Sequence, residues 1–354
     1  MKIVIDGYEA NVPQRLGSSQ VAFELLKSFE KIDLKNEYII LLPEKPLDDL
    51  PKEREGWKYK ILKPKKLWTR IALPLYFFSN KKKFNFFYSP THYLPQYCPT
   101  KKIVTIFDLS FLHFPEMFEK GDLWKLTNWT KYSVQHADHI ITISNYSKKD
   151  LISTYKINNK ITVAYPGYDE DKFKVQSAKL KTEDMKRKYK TGDNYIIYIG
   201  TLQPRKNLIR LIEAFSRVIL SDERRISNGL QLVIVGKSSG EGREGWMYQE
   251  ILDSPANLGI KERVTFTGFV PTNDLAYLLS GALAFIQPSL WEGFGIPVLE
   301  AMASGVPVLV SDNSSLPEVA GRAGLTFDPY SLDQMEQAIR TISSDVKLRQ
   351  KYSK

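Results

Sequence analysis

The sequence predicts an α/β protein made of two doubly wound domains. Short apolar runs alternate with amphipathic helical patterns through both halves of the chain, the order that lays helices on both faces of a parallel sheet. The alternation breaks once, over the charged segment Asp169–Asp193, which is poor in strand signals and follows the turn pair Pro166-Gly167. A length of 354 residues gives each half enough chain for its own core. The expected division is therefore residues 1–168, a linker over 169–193, and residues 194–354.

In the first half KIVID (2–6) reads as a strand, and Ser18–Lys31 as a helix with Val21, Leu25, Leu26 and Phe29 on one face. Further strands are expected at 38–42, 84–89, 102–107 and 139–144, with helices over Asp122–His136 and Asn145–Tyr155. In the second half the apolar runs at 195–200, 230–236, 263–268, 282–287 and 307–311 read as strands. Helical patterns at 207–220, 273–281, 297–304 and 331–343 lie between or after them. Ligands of open α/β sheets bind beyond the carboxyl ends of the strands, so two such domains facing each other are expected to enclose an interdomain cleft.

Composition narrows the class. A hydrophobic share of 43% with 25% charge is that of a globular chain. The single cysteine, Cys98, excludes an internal disulfide framework, and no Cys/His cluster suggests a metal. Both fit a reducing cytoplasm. MKIVIDGYEA enters a strand directly and does not read as a signal peptide, and no apolar run approaches the roughly 18 residues that span a bilayer.

The formal charge of +10 is unevenly placed: Gly56 to Phe107 holds eleven Lys and Arg and no Asp or Glu. Its centre, residues 63–84, sets basic residues around an aromatic and aliphatic run. Docking on the anionic headgroups of the inner membrane face is one reading. A core helix with solvated lysines at its ends is another. A nucleic-acid surface lacks any binding module, and no nucleic-acid partner is expected.

The most informative stretch is EGFGIPVLEAMASGVPVLVS, Glu292–Ser311. Gly293 and Gly295 let backbone approach a ligand closely. Pro297 suits the first helical position and Gly305 the residue just past the helix end. Pro307 opens a short buried strand. A glycine loop facing a helix start is suited to an anion. The flanking acids Glu292 and Glu300 are suited instead to accept from hydroxyls, which suggests a ligand carrying both phosphate and sugar.

Glu292-x7-Glu300 around GFGIP resembles the signature of the family-4 retaining glycosyltransferases of the GT-B fold. The similarity covers nearly the whole chain, through the Gly17-Ser18 loop, SPTHYLP (89–95), TIFDLSFLHFPEMF (105–118), ITISNYSKKDL (141–151), VAYPGYD (163–169), YIGTLQPRKNL (198–208), VTFTGFVP (264–271) and SLPEVAG (315–321). The resemblance implies two Rossmann-like domains and an enzyme that moves a hexose from a nucleotide diphosphate sugar to a glycan or lipid-linked acceptor of the cell surface. GFGIP and SLPEVAG lean toward mannosyltransferases using GDP-mannose, with UDP-sugars second.

The resemblance also implies roles. Arg205 and Lys206 contact the donor diphosphate, where Arg bonds through two parallel N–H groups and Lys adds a point charge. Glu292 accepts from hydroxyls of the transferred sugar and Glu300 from the ribose. Backbone N–H groups of Gly293, Phe294, Gly295 and Ile296 hold the sugar or distal phosphate, and Gly17 and Ser18 approach the diphosphate from the other domain. Cations at a helix start oppose its dipole, so an anion beside Arg205 and Lys206 makes physical sense; the plainer alternative is a solvated helix start capped by Asn207. No obligatory metal or cofactor is expected, and front-face displacement needs no protein base.

The chain departs from the family twice. Where relatives have a His before the Asp of TIFDLSF, this chain has Phe107-Asp108. Asp108 remains a candidate cleft residue, His92 lies nearby in sequence, and His113 reads as a packing residue. Relatives also continue with a helix crossing back to the first domain, and the sequence ends at LRQKYSK, so that helix is expected to be lacking. Rival readings are a GT-B epimerase of UDP-N-acetylhexosamine and a degenerate sugar-nucleotide-binding subunit.

Overall fold

The computed structural model describes the chain except residues 16, 82, 158–159, 174–178, 222–228, 237–247 and 354. It divides into two units, Met1–Pro166 and Gly167–Lys354.

The first unit holds seven parallel strands: β1 (Lys2–Asp6), β2 (Glu37–Leu42), β3 (Trp57–Ile61), β4 (Phe86–Ser89), β5 (Lys101–Ile106), β6 (His139–Thr142) and β7 (Ile161–Val163). Their order is β3-β2-β1-β4-β5-β6-β7. Central strands read as continuous apolar runs because helices cover both faces. Val4 packs with Phe77, Phe87, Val104 and Ile140 in one core, while Ile5 packs with Phe23, Leu26 and Ile40 in another. The helix Ser18–Ile32 buries Ala22, Phe23 and Leu26, and the expected Leu25 and Phe29 pack against the same core, so the apolar face is wider than the one expected. Phe29 stacks on the core residue Tyr38, with ring centroids 6.1 Å apart.

The second unit holds β8 (Asn194–Ile199), β9 (Leu230–Val235), β10 (Val264–Gly268), β11 (Ala284–Gln287), β12 (Val308–Ser311) and β13 (Gly324–Phe327). All pair in parallel, in the order β10-β9-β8-β11-β12-β13. Counted within the unit this is 3-2-1-4-5-6, the doubly wound dinucleotide order. Alternate residues of β8 face opposite cores, as the period of two requires. Ile196 and Tyr198 meet the helices Leu208–Leu220 and Leu332–Ser344. Tyr195 and Ile197 meet Thr272–Ser280 and Ile296–Ala303.

The described residues of the segment expected as a linker over 169–193 belong instead to the second unit. It carries the helices Glu170–Phe173 and Lys179–Tyr189. Phe173 is buried in the second unit's core. Lys188 Nζ and the Tyr189 hydroxyl each lie 2.7 Å from Asp274 Oδ2. Its apolar anchors are few among many charges, which hides the docking from a periodicity reading. Among the described residues no helix is long and apolar enough to cross a membrane.

Candidate functional site

In the second unit the strand order reverses between β8 and β11, and the crevice at such a switch point is where this topology can hold a ligand. The loops leaving these two strands bring the predicted residues together. Arg205 and Lys206 sit on a 3-10 turn, Pro204–Lys206, that ends at Asn207 in left-handed conformation (φ 60°). Asn207 makes no capping hydrogen bond. Its Nδ2 donates to Pro288 O at 3.1 Å and Pro329 O at 2.8 Å, so it ties the β8 loop to two others. The Leu290 N–H donates to Arg205 O at 2.8 Å, and Arg205 Nη1 donates to Trp291 O at 2.9 Å.

Glu292 is the hub. It is only 8% exposed. Its Oε1 accepts from Lys206 Nζ at 2.5 Å, from Gln287 Nε2 at 2.7 Å and from Ser289 Oγ at 2.7 Å. Its Oε2 accepts from Arg205 Nη1 at 3.3 Å. Burial alone would raise this carboxyl, but the Lys206 ammonium and the Arg205 guanidinium outweigh it and hold the pKa at about 2. Two cations converge on this one carboxylate, which fixes both at the strand ends, where preorganised N–H groups can meet an anion. The geometry therefore gives Glu292 a role of its own within the chain: it orients both cations.

The loop that follows is fixed by serines. The Glu292 N–H donates to Ser314 Oγ at 3.1 Å, and Ser315 Oγ donates to the carbonyls of Glu292 and Phe294 at 2.8 and 2.9 Å. Gly293 and Phe294 are buried. Gly295 takes φ 108°, where a Cβ would stand 2.9 Å from Leu316 Cδ2, so glycine is required there. The helix Ile296–Ala303 starts with Pro297 in its first turn. It closes on Gly305 (φ 72°), whose N–H donates to Met302 O while that of Val306 donates to Ala301 O. This is the Schellman close that the Gly305 position suggested.

Glu300 stands apart from this network. Its carboxyl accepts no hydrogen bond from the described residues; burial raises its pKa to about 7 against the pull of Lys172. A half-buried carboxyl without a donor is chemically suited to accept from ligand hydroxyls.

In the first unit Gly17 is exposed at the start of the helix Ser18–Ile32, with φ 55° and open space where a Cβ would stand. Ser18 is half-buried beside it. Asp108 Oδ1 accepts from the Ser110 N–H at 2.8 Å and so stabilises the start of the short helix Ser110–His113. His113 does more than pack: its Nε2 lies 2.9 Å from Asp150 Oδ1.

The structure adds Asp6 and Glu9, which the sequence reading missed, and places His92, which it noted only by its position in sequence. Asp6, at the end of β1, accepts from the Trp68 indole at 2.9 Å and the Tyr8 N–H at 3.1 Å. Burial lifts it to about 7 against those two bonds. Burial also raises Glu9. His92, beyond the end of β4, stacks on Phe107 with centroids 5.7 Å apart, and its Nε2 accepts from the Phe107 N–H at 3.4 Å. In the neutral ring the proton then sits on Nδ1, which is buried with no partner. Burial pushes this imidazole below its ordinary pKa, against the pull of Asp108. These groups gather around the switch point between β1 and β4. Their signal in the sequence was an acid directly ending a strand, IVID; that of Gln287 and Ser289 was polar residues closing AFIQPS.

Among the described residues no group of three or more His, Cys, Asp or Glu side chains is placed to hold a metal ion.

Two family models match nearly the whole chain: Glycosyltransferase Family 4 over residues 17–172 and glycosyl transferases group 1 over residues 181–354. The chain is 32% identical over 256 residues to the O-antigen chain mannosyltransferase B of Escherichia coli, covering 72% of this chain and 64% of the relative. It is 29% identical over 220 residues to the GDP-mannose-dependent alpha-(1-6)-phosphatidylinositol monomannoside mannosyltransferase of Mycobacterium tuberculosis, covering 59% of this chain and 53% of the relative. The chain thus spans 53–64% of the length of these curated relatives. In structure it is similar to sucrose-phosphate synthase from Thermosynechococcus elongatus, with a TM-score of 0.77 at 18% identity, covering 100% of this chain and 92% of the other.

Proposed function

Since the chain belongs to the family-4, group 1 glycosyltransferases, we propose that it transfers mannose, with retention, from GDP-mannose to a glycan or lipid-linked acceptor of cell-surface polysaccharide synthesis. UDP-sugars are the second donor class. The observation that carries this reading is the buried Glu292 clamp, which holds Lys206 at 2.5 Å and Arg205 at 3.3 Å at the strand ends flanking the switch point. The mannosyltransferase relatives support the sugar, and the printed donor of the mycobacterial relative supports the nucleotide.

In the proposed reaction the bond from the sugar C1 to the diphosphate oxygen breaks while the acceptor oxygen bonds to C1 from the same face. The acceptor proton passes to the departing diphosphate. Arg205 and Lys206 offset the charge growing on that group, and a preorganised contact of this kind is worth about 3 kcal/mol in the transition state. No obligatory metal is invoked. The backbone of Gly293, Phe294, Gly295 and Ile296 frames the sugar side, and Glu300 takes the ribose hydroxyls. Gly17 and Ser18 are assigned to the diphosphate and Asp108 to shaping the first unit's loop. A nucleotide-sugar substrate and a single cysteine support work in the cytoplasm.

A thermal-shift panel of nucleotide sugars, followed by an assay for released sugar, tests the reading. GDP-mannose at a hundred times its dissociation constant should stabilise the fold by about 2.7 kcal/mol, and slow release of mannose to water should accompany binding. If no GDP- or UDP-sugar shifts unfolding and none is hydrolysed, the reading fails. Preference for a UDP-sugar would overturn the donor and keep the reaction class.

A further inference from the structure

We infer that the first unit docks on an anionic lipid bilayer through the outer face of residues 67–81. The segment runs from a π-helical turn, Trp68–Ala72, into the helix Leu73–Ser79. Its inner side chains, Trp68, Ala72, Leu73 and Phe77, are buried in the core. Its exposed apolar side chains are Leu67, Ile71, Leu75 and Phe78, of which Leu75 and Phe78, three apart on the α-helix, are neighbours on one face. The four are 58%, 37%, 57% and 61% exposed. Phe78 extends the patch to the exposed Tyr97, at 6.0 Å between ring centroids.

The charges around this patch have one sign along its own chain. Lys63, Lys65 and Lys66 precede it, and Lys81 and Lys83 follow; Lys82 lies outside the described residues. Lys81 Nζ stands 4.3 Å over the Phe78 ring, and the Arg70 guanidinium 4.5 Å over that of Trp129 on the helix Lys120–His136. One cation is partly neutralised, since Lys65 Nζ lies 3.1 Å from Glu44. Aliphatic side chains rimmed by lysines match the boundary between acyl chains and acidic headgroups, where the patch leaves water and the ammonium groups stay in it. Leu67, Ile71 and Leu75 have no π-face on which a nucleic-acid base stacks.

The test is co-sedimentation of the full chain with phosphatidylcholine vesicles, with and without phosphatidylserine. The chain should pellet with the anionic vesicles and not with the neutral ones, and the bound fraction should fall as salt rises. Lys81→Gln with Lys83→Gln should weaken partitioning by up to ~25-fold, about fivefold per cation. Leu75→Ser with Phe78→Ser should weaken it at least ~tenfold, because the patch is inserted. Both pairs are on the surface, and unchanged thermal unfolding shows that the fold is kept. Equal pelleting with both vesicle types, or with neither, overturns the inference. So does an unchanged affinity of the Leu75/Phe78 variant, or a vesicle-free dimer that this variant abolishes, which would assign the patch to a second copy of the chain.

Discussion

Lys206 Nζ lies 2.5 Å from Glu292 Oε1, and both side chains are about nine-tenths buried. If Glu292 were an exposed ligand contact, Glu292→Gln would fold normally. Its burial changes that expectation. An uncharged amide takes from Lys206 and Arg205 the buried carboxylate that both face, and removing one partner of a buried pair costs about 3–5 kcal/mol. Glu292→Gln should therefore lower stability toward urea by about 3 kcal/mol at pH 7, besides lowering turnover. The pH dependence has a definite sign. A carboxyl held at about 2 in the fold against 4.5 for the ordinary group contributes stability present above pH ~4.5 and lost as pH falls through ~2. Unfolding curves of wild type and variant should converge over that window; parallel curves would show that the pair contributes nothing.

Arg205 is the cleaner probe of phosphate binding, since removing Lys206 would strand a buried carboxylate. Arg205→Ala should slow transfer on the order of a hundredfold. Affinity for the nucleoside diphosphate should fall while affinity for the bare nucleoside is kept. Calorimetry with the two ligands checks this, and equal losses for both would point to a disturbed fold.

Much of this site was legible in the sequence because its backbone demands are local. Gly295 needs positive φ and Gly305 closes a helix, and both constraints appear in single letters. The Glu292 clamp was not legible in full. Gln287, Ser289, Ser314 and Ser315 reach Glu292 or its loop through tertiary contacts of ordinary polar residues, which carry no periodic signal. Two of the three missed strands, β3, β7 and β13, have physical reasons too. β3 is an edge strand reading WKYKI with mostly exposed side chains, and β7 is only three residues long. The helix Lys179–Tyr189 hid because its charges outnumber the Met185 and Tyr189 side chains that anchor it.

Glu300 gives a pH signature. Its carboxyl, raised to about 7 by burial and not matched by Lys172, must be ionised to accept from two ribose hydroxyls. Nucleotide affinity should then rise with pH up to about 7 and level off above it. Glu300→Gln should weaken binding of the bare nucleoside as well as the diphosphate, unlike Arg205→Ala, and should flatten the profile. Titrations of GDP between pH 5.5 and pH 8, as roughly spaced points across the ~1-unit transition either side of the pKa, check this. A wild-type profile without a step near 7 would remove Glu300 from the ribose.

The hydrogen bond from the Trp68 indole to Asp6 Oδ1, 2.9 Å long and buried, joins the start of the docking segment to the polar end of β1. It does not fully compensate Asp6, whose pKa stays raised from 3.8 to about 7 by burial. A group that holds its proton more tightly in the fold contributes stability fully present below pH ~3.8 and lost as pH rises through ~7. Three pKa steps amount to about 4 kcal/mol at most. Asp6→Asn keeps an acceptor for Trp68 and removes the titration. The stability of wild type relative to this variant should therefore decline between pH 4 and pH 7, and above that range the variant should equal or exceed wild type. Trp68→Phe, which removes the donor, should instead destabilise by about 1–3 kcal/mol and extend the decline to higher pH. Denaturant unfolding of the three proteins across this range decides the matter: a difference between wild type and Asp6→Asn that is flat with pH would mean that Asp6 is already ionised in the folded chain.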